Sequence, residues 1–168
     1  MLQEVSKIRQ ISVDIGAINI IEKVDALGNY DRKKIVSHDH NGQKKKELDI
    51  VNKPTDITKV NDETIAVSSF PSTIFEINIE TMTLLKTLTI GAIVWGLCFV
   101  GDEYITAQGN TISWLNSATG EKLRCCETDA NTPFVTCYKS TTYIYTNGKN
   151  LSNKNRLLKN VSITKVKL

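Results

Sequence analysis

Three groups of side chains in this 168-residue sequence have types and spacings that chemistry can use. The first is His38-Asp39-His40. A His-x-His pair in a strand sets both imidazoles on one face, as a metal-ligand pair requires. Nothing joins them: the sequence holds two histidines, and its four cysteines (Cys98, Cys125, Cys126, Cys137) form no C-x-x-C. The plainer reading makes them polar residues leading into an Asn41-Gly42 turn, so neither metal nor cofactor is expected. The second group is basic: Arg32, Lys33 and Lys34, then Lys44, Lys45 and Lys46. Charges so clustered can neutralise the phosphates of RNA. However, strand alternation sends successive lysines to opposite faces, and lysine on an outer strand commonly guards an edge against pairing. The third group is aromatic: Trp95, Phe99, Tyr104, Trp114, Phe134, Tyr138, Tyr143 and Tyr145. Such rings anchor peptides or stack on bases, although most are expected to fill space between packed sheets.

The sequence excludes several common enzyme classes. It contains no G-x-S-x-G, no G-x-x-x-x-G-K-[ST] and no H-E-x-x-H, and its Asp and Glu residues are scattered through turns. No enzyme is expected. The net charge of +3 is too mild to mark a nucleic-acid binder by itself. Residues 1–10 are too polar for a signal peptide, and the longest apolar run, residues 90–100, is broken by Gly91 and Gly96 and too short to cross a bilayer. The expectation is a cytoplasmic protein without a membrane partner, its cysteines kept as buried thiols in a reducing compartment.

The elements that position these groups come from a repeat. Asp56-Ile57-Thr58-Lys59-Val60-Asn61-Asp62-Glu63-Thr64-Ile65-Ala66-Val67 aligns with Gly96-Leu97-Cys98-Phe99-Val100-Gly101-Asp102-Glu103-Tyr104-Ile105-Thr106-Ala107. The alignment pairs Ile57 with Leu97, Val60 with Val100, Ile65 with Ile105 and Val67 with Ala107, and sets the turn Asn61-Asp62-Glu63 against Gly101-Asp102-Glu103. A third copy begins at Val135-Thr136-Cys137-Tyr138. A period of about 40 residues built from short strands is the signature of propeller blades. The first unit predicts strands over 57–60, 64–69, 73–79 and 84–90, the second over 97–100, 104–108, 111–116 and 122–126. The second is two residues shorter, which the tight Gly109-Asn110 turn explains if it replaces Phe70-Pro71-Ser72.

A closed propeller takes about 4–8 blades, so a chain of this length is expected to supply a partial one. The predicted fold is all-β, a partial β-propeller of about four four-stranded blades. Residues 1–33 read as ill-defined strands of an incomplete first blade, 34–147 as the blades, and 148–168 as a divergent basic tail or incomplete last blade. Such a piece exposes open blade faces, through which self-association is expected.

Between Lys34 and Asn147 the pattern resembles a known family. Asp56-Ile57 with Asn61-Asp62-Glu63-Thr64-Ile65-Ala66-Val67-Ser68, then Ile74-Phe75-Glu76-Ile77-Asn78-Ile79, Trp95-Gly96-Leu97 and Pro133-Phe134-Val135-Thr136, is similar to the six-bladed NHL-like propellers of tripartite-motif proteins, notably the mollusc-type group. The resemblance implies a fragment of a six-bladed ring that recognises a protein substrate for a ubiquitin ligase. The RING, B-box and coiled coil that would carry ligase activity have no counterpart in these residues. Asp56, Trp95 and Phe134, at repeat entries, are the candidate contacts for that protein partner. Two alternatives follow from related propellers: an RNA-binding one using Arg32, Lys33, Lys44, Lys45 and Lys46, and a calcium-dependent hydrolase or lactonase.

Overall fold

The computed structural model describes the backbone of residues 5–13, 16–24, 30–39, 41–127, 134–138, 142–146 and 163–164, and the side chains of 34–39, 41–127 and 135. Its strands are β1 (Val5–Val13), β2 (Gly16–Val24), β3 (Tyr30–His38), β4 (Lys44–Asp49), β5 (Lys53–Lys59), β6 (Thr64–Phe70), β7 (Thr73–Asn78), β8 (Thr83–Thr89), β9 (Gly96–Val100), β10 (Glu103–Gln108), β11 (Thr111–Asn116), β12 (Lys122–Glu127), β13 (Phe134–Tyr138), β14 (Thr142–Thr146) and β15 (Ile163–Thr164). Among the described residues they form three four-stranded antiparallel sheets, β1–β4, β5–β8 and β9–β12, and a three-stranded one, β13–β15. Every sheet is a meander whose first strand touches the first strand of the next: β1 meets β5, β5 meets β9, and β9 meets β13. This is the blade arrangement of a propeller.

Burial follows position in the blade. In β6, Thr64 to Ser69 are buried on both faces, because a central strand has a blade on either side. The outer strands β4 and β12 are exposed along nearly their whole length. Three apolar seams result. Ile57, Ile65, Val67, Phe75 and Ile77 pack toward Ile35 of the first blade. Ala66, Ile74 and Leu88 meet Leu97, Tyr104 and Leu115 across the second seam. Cys98, Ile105, Ile112 and Trp114 face Val135 in the third.

These seams correct the repeat alignment. Ile57 and Leu97 do occupy equivalent places, each facing the preceding blade. Ile65 faces backward as well, but Ile105 faces forward, and the residue equivalent to Ile65 is Tyr104. The cause is the first hairpin. Residues 61–63 separate Val60 from Thr64, whose carbonyl accepts the Val60 N–H at 2.9 Å, whereas Val100 pairs with Glu103 across Gly101-Asp102 alone. Glu103 is therefore a strand residue, and one lost turn residue reverses the facing of the aligned residues as far as the second hairpin. Only the remaining residue of shortening belongs to Gly109-Asn110, where Gln108 pairs with Thr111.

Two further features recur in successive blades. Each outer strand carries a bulge in which one residue lacks a partner: Lys45 between the Ser37–Lys46 and His38–Lys44 pairs, Leu85 between Glu76–Lys86 and Ile77–Leu84, and Leu123 between Trp114–Arg124 and Leu115–Lys122. The turn before each outer strand is held by a side-chain oxygen. Asp39 Oδ1 accepts the Asn41 and Gln43 amides at 2.9 Å each, Asn78 Oδ1 accepts Thr81 N–H at 2.8 Å, and Asn116 Oδ1 accepts Ala118 N–H at 2.8 Å. The expected tight Asn41-Gly42 hairpin is thus a wider loop headed by Asp39.

Candidate interaction surface

Alternating strand direction gives the blades two rims. Hairpins between first and second and between third and fourth strands lie on one; second-to-third hairpins and blade-to-blade connectors lie on the other. Each described turn on the first rim holds an acid: Asp39, Asp62 with Glu63, Glu80, Asp102 and Glu121. On the second rim the stretches 50–52, 71–72, 90–95 and 109–110 contain no charged residue. That rim instead exposes large apolar side chains: Val51 at 85%, Phe70 at 42%, Ile93 at 39% and Trp95 at 41%. The two rims thus offer opposite surfaces.

Trp95 sits in the β8–β9 connector, its backbone N–H fixed to Ala107 O at 3.0 Å while its indole is exposed. Asp56 is half-buried on β5, where its Oδ2 accepts the Leu97 N–H at 2.9 Å and ties the second blade to the third. Phe134 opens β13 opposite Thr146, and its side chain lies outside the described residues. Because Leu97 matches Ile57, Trp95 stands one residue before the counterpart of Asp56. Trp95 shares its rim with Phe70, Ile93 and Val51, residues that the sequence reading did not single out. Their signal was available as neutral connectors alternating with acidic turns.

Lys34 Nζ pairs with Glu47 at 2.6 Å and Asp49 at 3.5 Å, and Lys44 also pairs with Glu47. Hydrogen bonds from Lys34 and then Lys44 hold the Glu47 carboxyl down to about 2. Lys45 is the exposed bulge residue, and Lys46 Nζ donates to Glu80 O on the next blade. Arg32 and Lys33 lie on β3 opposite Lys23 and Glu22, with side chains outside the described residues.

Lys46 introduces a series. Lys86, its counterpart, donates to Ser117 O of the following blade and lies 3.5 Å from Glu76 Oε1. Arg124, the third member, forms a two-pronged pair with Glu103 at 2.7 Å on each arm and stacks 5.0 Å from the Trp114 ring. Glu76 also accepts the Tyr104 hydroxyl at 2.8 Å, and burial, reinforced by Glu76, pushes the Tyr104 phenol well above the ordinary tyrosine range.

His38 is half-buried beside a turn built by Asp39, and His40 lies outside the described residues. Among the described residues, no three His, Cys, Asp or Glu side chains come together as a metal site would need, and no helix is long and apolar enough to cross a membrane. The cysteine expectation needs correction. Cys98, buried in the third seam, is disulfide-bonded, and Cys125 and Cys126 are exposed free thiols because β12 is an outer strand.

No family model and no curated protein matches the chain. Solved propeller structures do match. The chain is similar to the Neurospora crassa Pan2 WD40 domain, at 12% identity and TM-score 0.66 over 93% of this chain and 45% of that one. It is similar to BamB from Moraxella catarrhalis at 9% identity and TM-score 0.62, covering 86% and 44%. BBS1N, solved in complex with ARL6DN, matches at 11% identity and TM-score 0.61, covering 87% and 49%. The fold is a β-propeller type. At these identities the likeness is one of fold alone, and the chain spans less than half the length of each of these three structures. The expected propeller is thereby shown, while the NHL and tripartite-motif assignment has no family match behind it.

Proposed function

We propose that the chain is a protein-interaction module that engages its partner through the connector rim. One observation carries this reading: the neutral rim exposes Phe70, Ile93 and Trp95, while the opposite rim has an acid in every described turn. Apolar and aromatic groups exposed on one side of a rigid scaffold are the usual anchors of protein interfaces. Connectors held by rigid sheets display such anchors at little entropic cost. Propellers commonly serve as interaction modules, which supports the reading at the level of the fold. In its finer form, supported only by the repeat pattern, the partner is a substrate delivered to a tripartite-motif-like ubiquitin ligase, and this chain contributes recognition without catalysis.

A photocrosslinking amino acid at position 95, compared with one at position 62 on the acidic rim, tests the proposal in cells. The expected result is a discrete adduct from position 95 that Phe70→Ser with Ile93→Ser abolishes. Equal adducts from both rims, or adducts indifferent to those substitutions, would overturn it.

A further inference from the structure

Among the described residues, the outer strands β4, β8 and β12 each pair on one side only, so each offers an edge without a strand partner there. Their edges differ. β4 carries Lys44, Lys45, Lys46, Glu47 and Asp49, and β12 carries Lys122, Arg124 and Glu127, the charges that discourage another strand from adding. β8 reads Thr-Leu-Leu-Lys-Thr-Leu-Thr, and its one charge, Lys86, is directed to Ser117 O and Glu76 instead of outward. Leu84 at 49% and Leu85 at 55% exposure lie at its bulge end.

The ladder settles which groups face out. Ile90 N–H donates to Ser72 O at 2.9 Å, and the pairs Leu88–Ile74 and Lys86–Glu76 continue that register. Alternation along an antiparallel ladder therefore turns the N–H and C=O groups of Thr87 and Thr89 away from β7. A row of outward donors and acceptors beside exposed leucines complements one kind of ligand, an extended backbone. The absence of an outward charge sets its character: a neutral segment with apolar residues at alternate positions.

We propose that β8 is a strand-addition site for an extended, uncharged, alternately apolar segment of a partner protein. The site is separate from the connector rim and stands whether or not that rim binds a partner. The probe is a fluorescein-labelled, end-capped heptapeptide of alternating threonine and valine, titrated into the whole chain and followed by anisotropy. Saturable binding is expected, with amide exchange at Thr87 and Thr89 slowed at least about tenfold at saturation. Thr87→Pro, which removes an outward donor while leaving the β7 ladder intact, should weaken binding at least about tenfold. Leu85→Lys, a charge on the bulge, should do the same if the proline variant fails to fold. Phe70→Ser with Ile93→Ser should leave peptide binding unchanged, which separates this site from the rim. Undiminished binding to Leu85→Lys, equal binding of a peptide N-methylated at alternate amides, or no saturable binding would overturn the proposal. So would a β8-to-β8 dimer, seen by sedimentation and dissolved by the same variants, which would assign the edge to a second copy of the chain.

Discussion

Asp56 Oδ2 accepts the backbone N–H of Leu97 at 2.9 Å, joining residues 41 positions apart across the seam between two blades. The bond makes Asp56 a structural strut even though its place at a repeat entry also suggests a contact residue. Asp56→Ala should lower stability by about 1.5–3 kcal/mol, the range for a lost hydrogen bond to a charged group. Asp56→Asn should recover part of the loss, because an amide oxygen can accept the same bond. Denaturant midpoints of the two variants check this.

Tyr104 and Glu76 make a second cross-blade bond, and it has a pH signature. The folded state raises the Tyr104 phenol through burial first and Glu76 second, so its neutral form is favoured. The sign follows from linkage: the contribution is full below the unfolded value near pH 10 and declines as pH rises above it. Stability should fall by up to about 1.4 kcal/mol per pH unit above pH 10 from this one group. Tyr104→Phe should remove that component of the slope while costing about 1–2 kcal/mol at neutral pH.

Glu47 gives the opposite case. Lys34 and Lys44 hold its carboxyl at about 2 in the folded chain. A lowered carboxyl stabilises the fold above its unfolded value near 4.3 and loses that contribution as pH falls toward 2. NMR titration should place the Glu47 midpoint near 2 at low salt, and Lys34→Ala should raise it. Because the pair is exposed, added salt should raise it as well.

Met82 and Gly120 are equivalent residues: each is left-handed, with φ of 53° and 77°, and each donates its N–H to the residue four positions earlier. Met82→Gly should relieve strain of about 1 kcal/mol, yet removing a buried Met side chain costs about 2–5 kcal/mol, so the net effect is destabilising. Gly120→Ala should also destabilise, since a Cβ there is strained and would sit 3.4 Å from Ile90 Cγ2. Calorimetry should show a lowered unfolding midpoint for both variants.

Much of this fold is legible in particular residues. The apolar run in Thr73-Ile74-Phe75-Glu76-Ile77-Asn78 marks a strand, and Asn78 and Asn116 at the end of each third strand mark a turn, because both signals act within a few residues. The rim candidates were legible only in part. Trp95 stood out as an aromatic at a repeat entry, whereas Phe70 and Ile93 gain meaning only once strand direction assigns their connectors to the same rim.

The sequence by itself determined that the chain is built of repeated four-stranded units, since a period-two pattern punctuated by turn residues is local information. Tertiary structure alone decided which face each residue joins. The one-residue difference between Asn61-Asp62-Glu63 and Gly101-Asp102 turns Ile105 to the opposite face from Ile65. It also decided the roles of Asp56, Lys46 and Lys86, whose partners lie on neighbouring blades. Those bonds join residues some 30 to 40 positions apart, and only the packing of one sheet on the next brings them together.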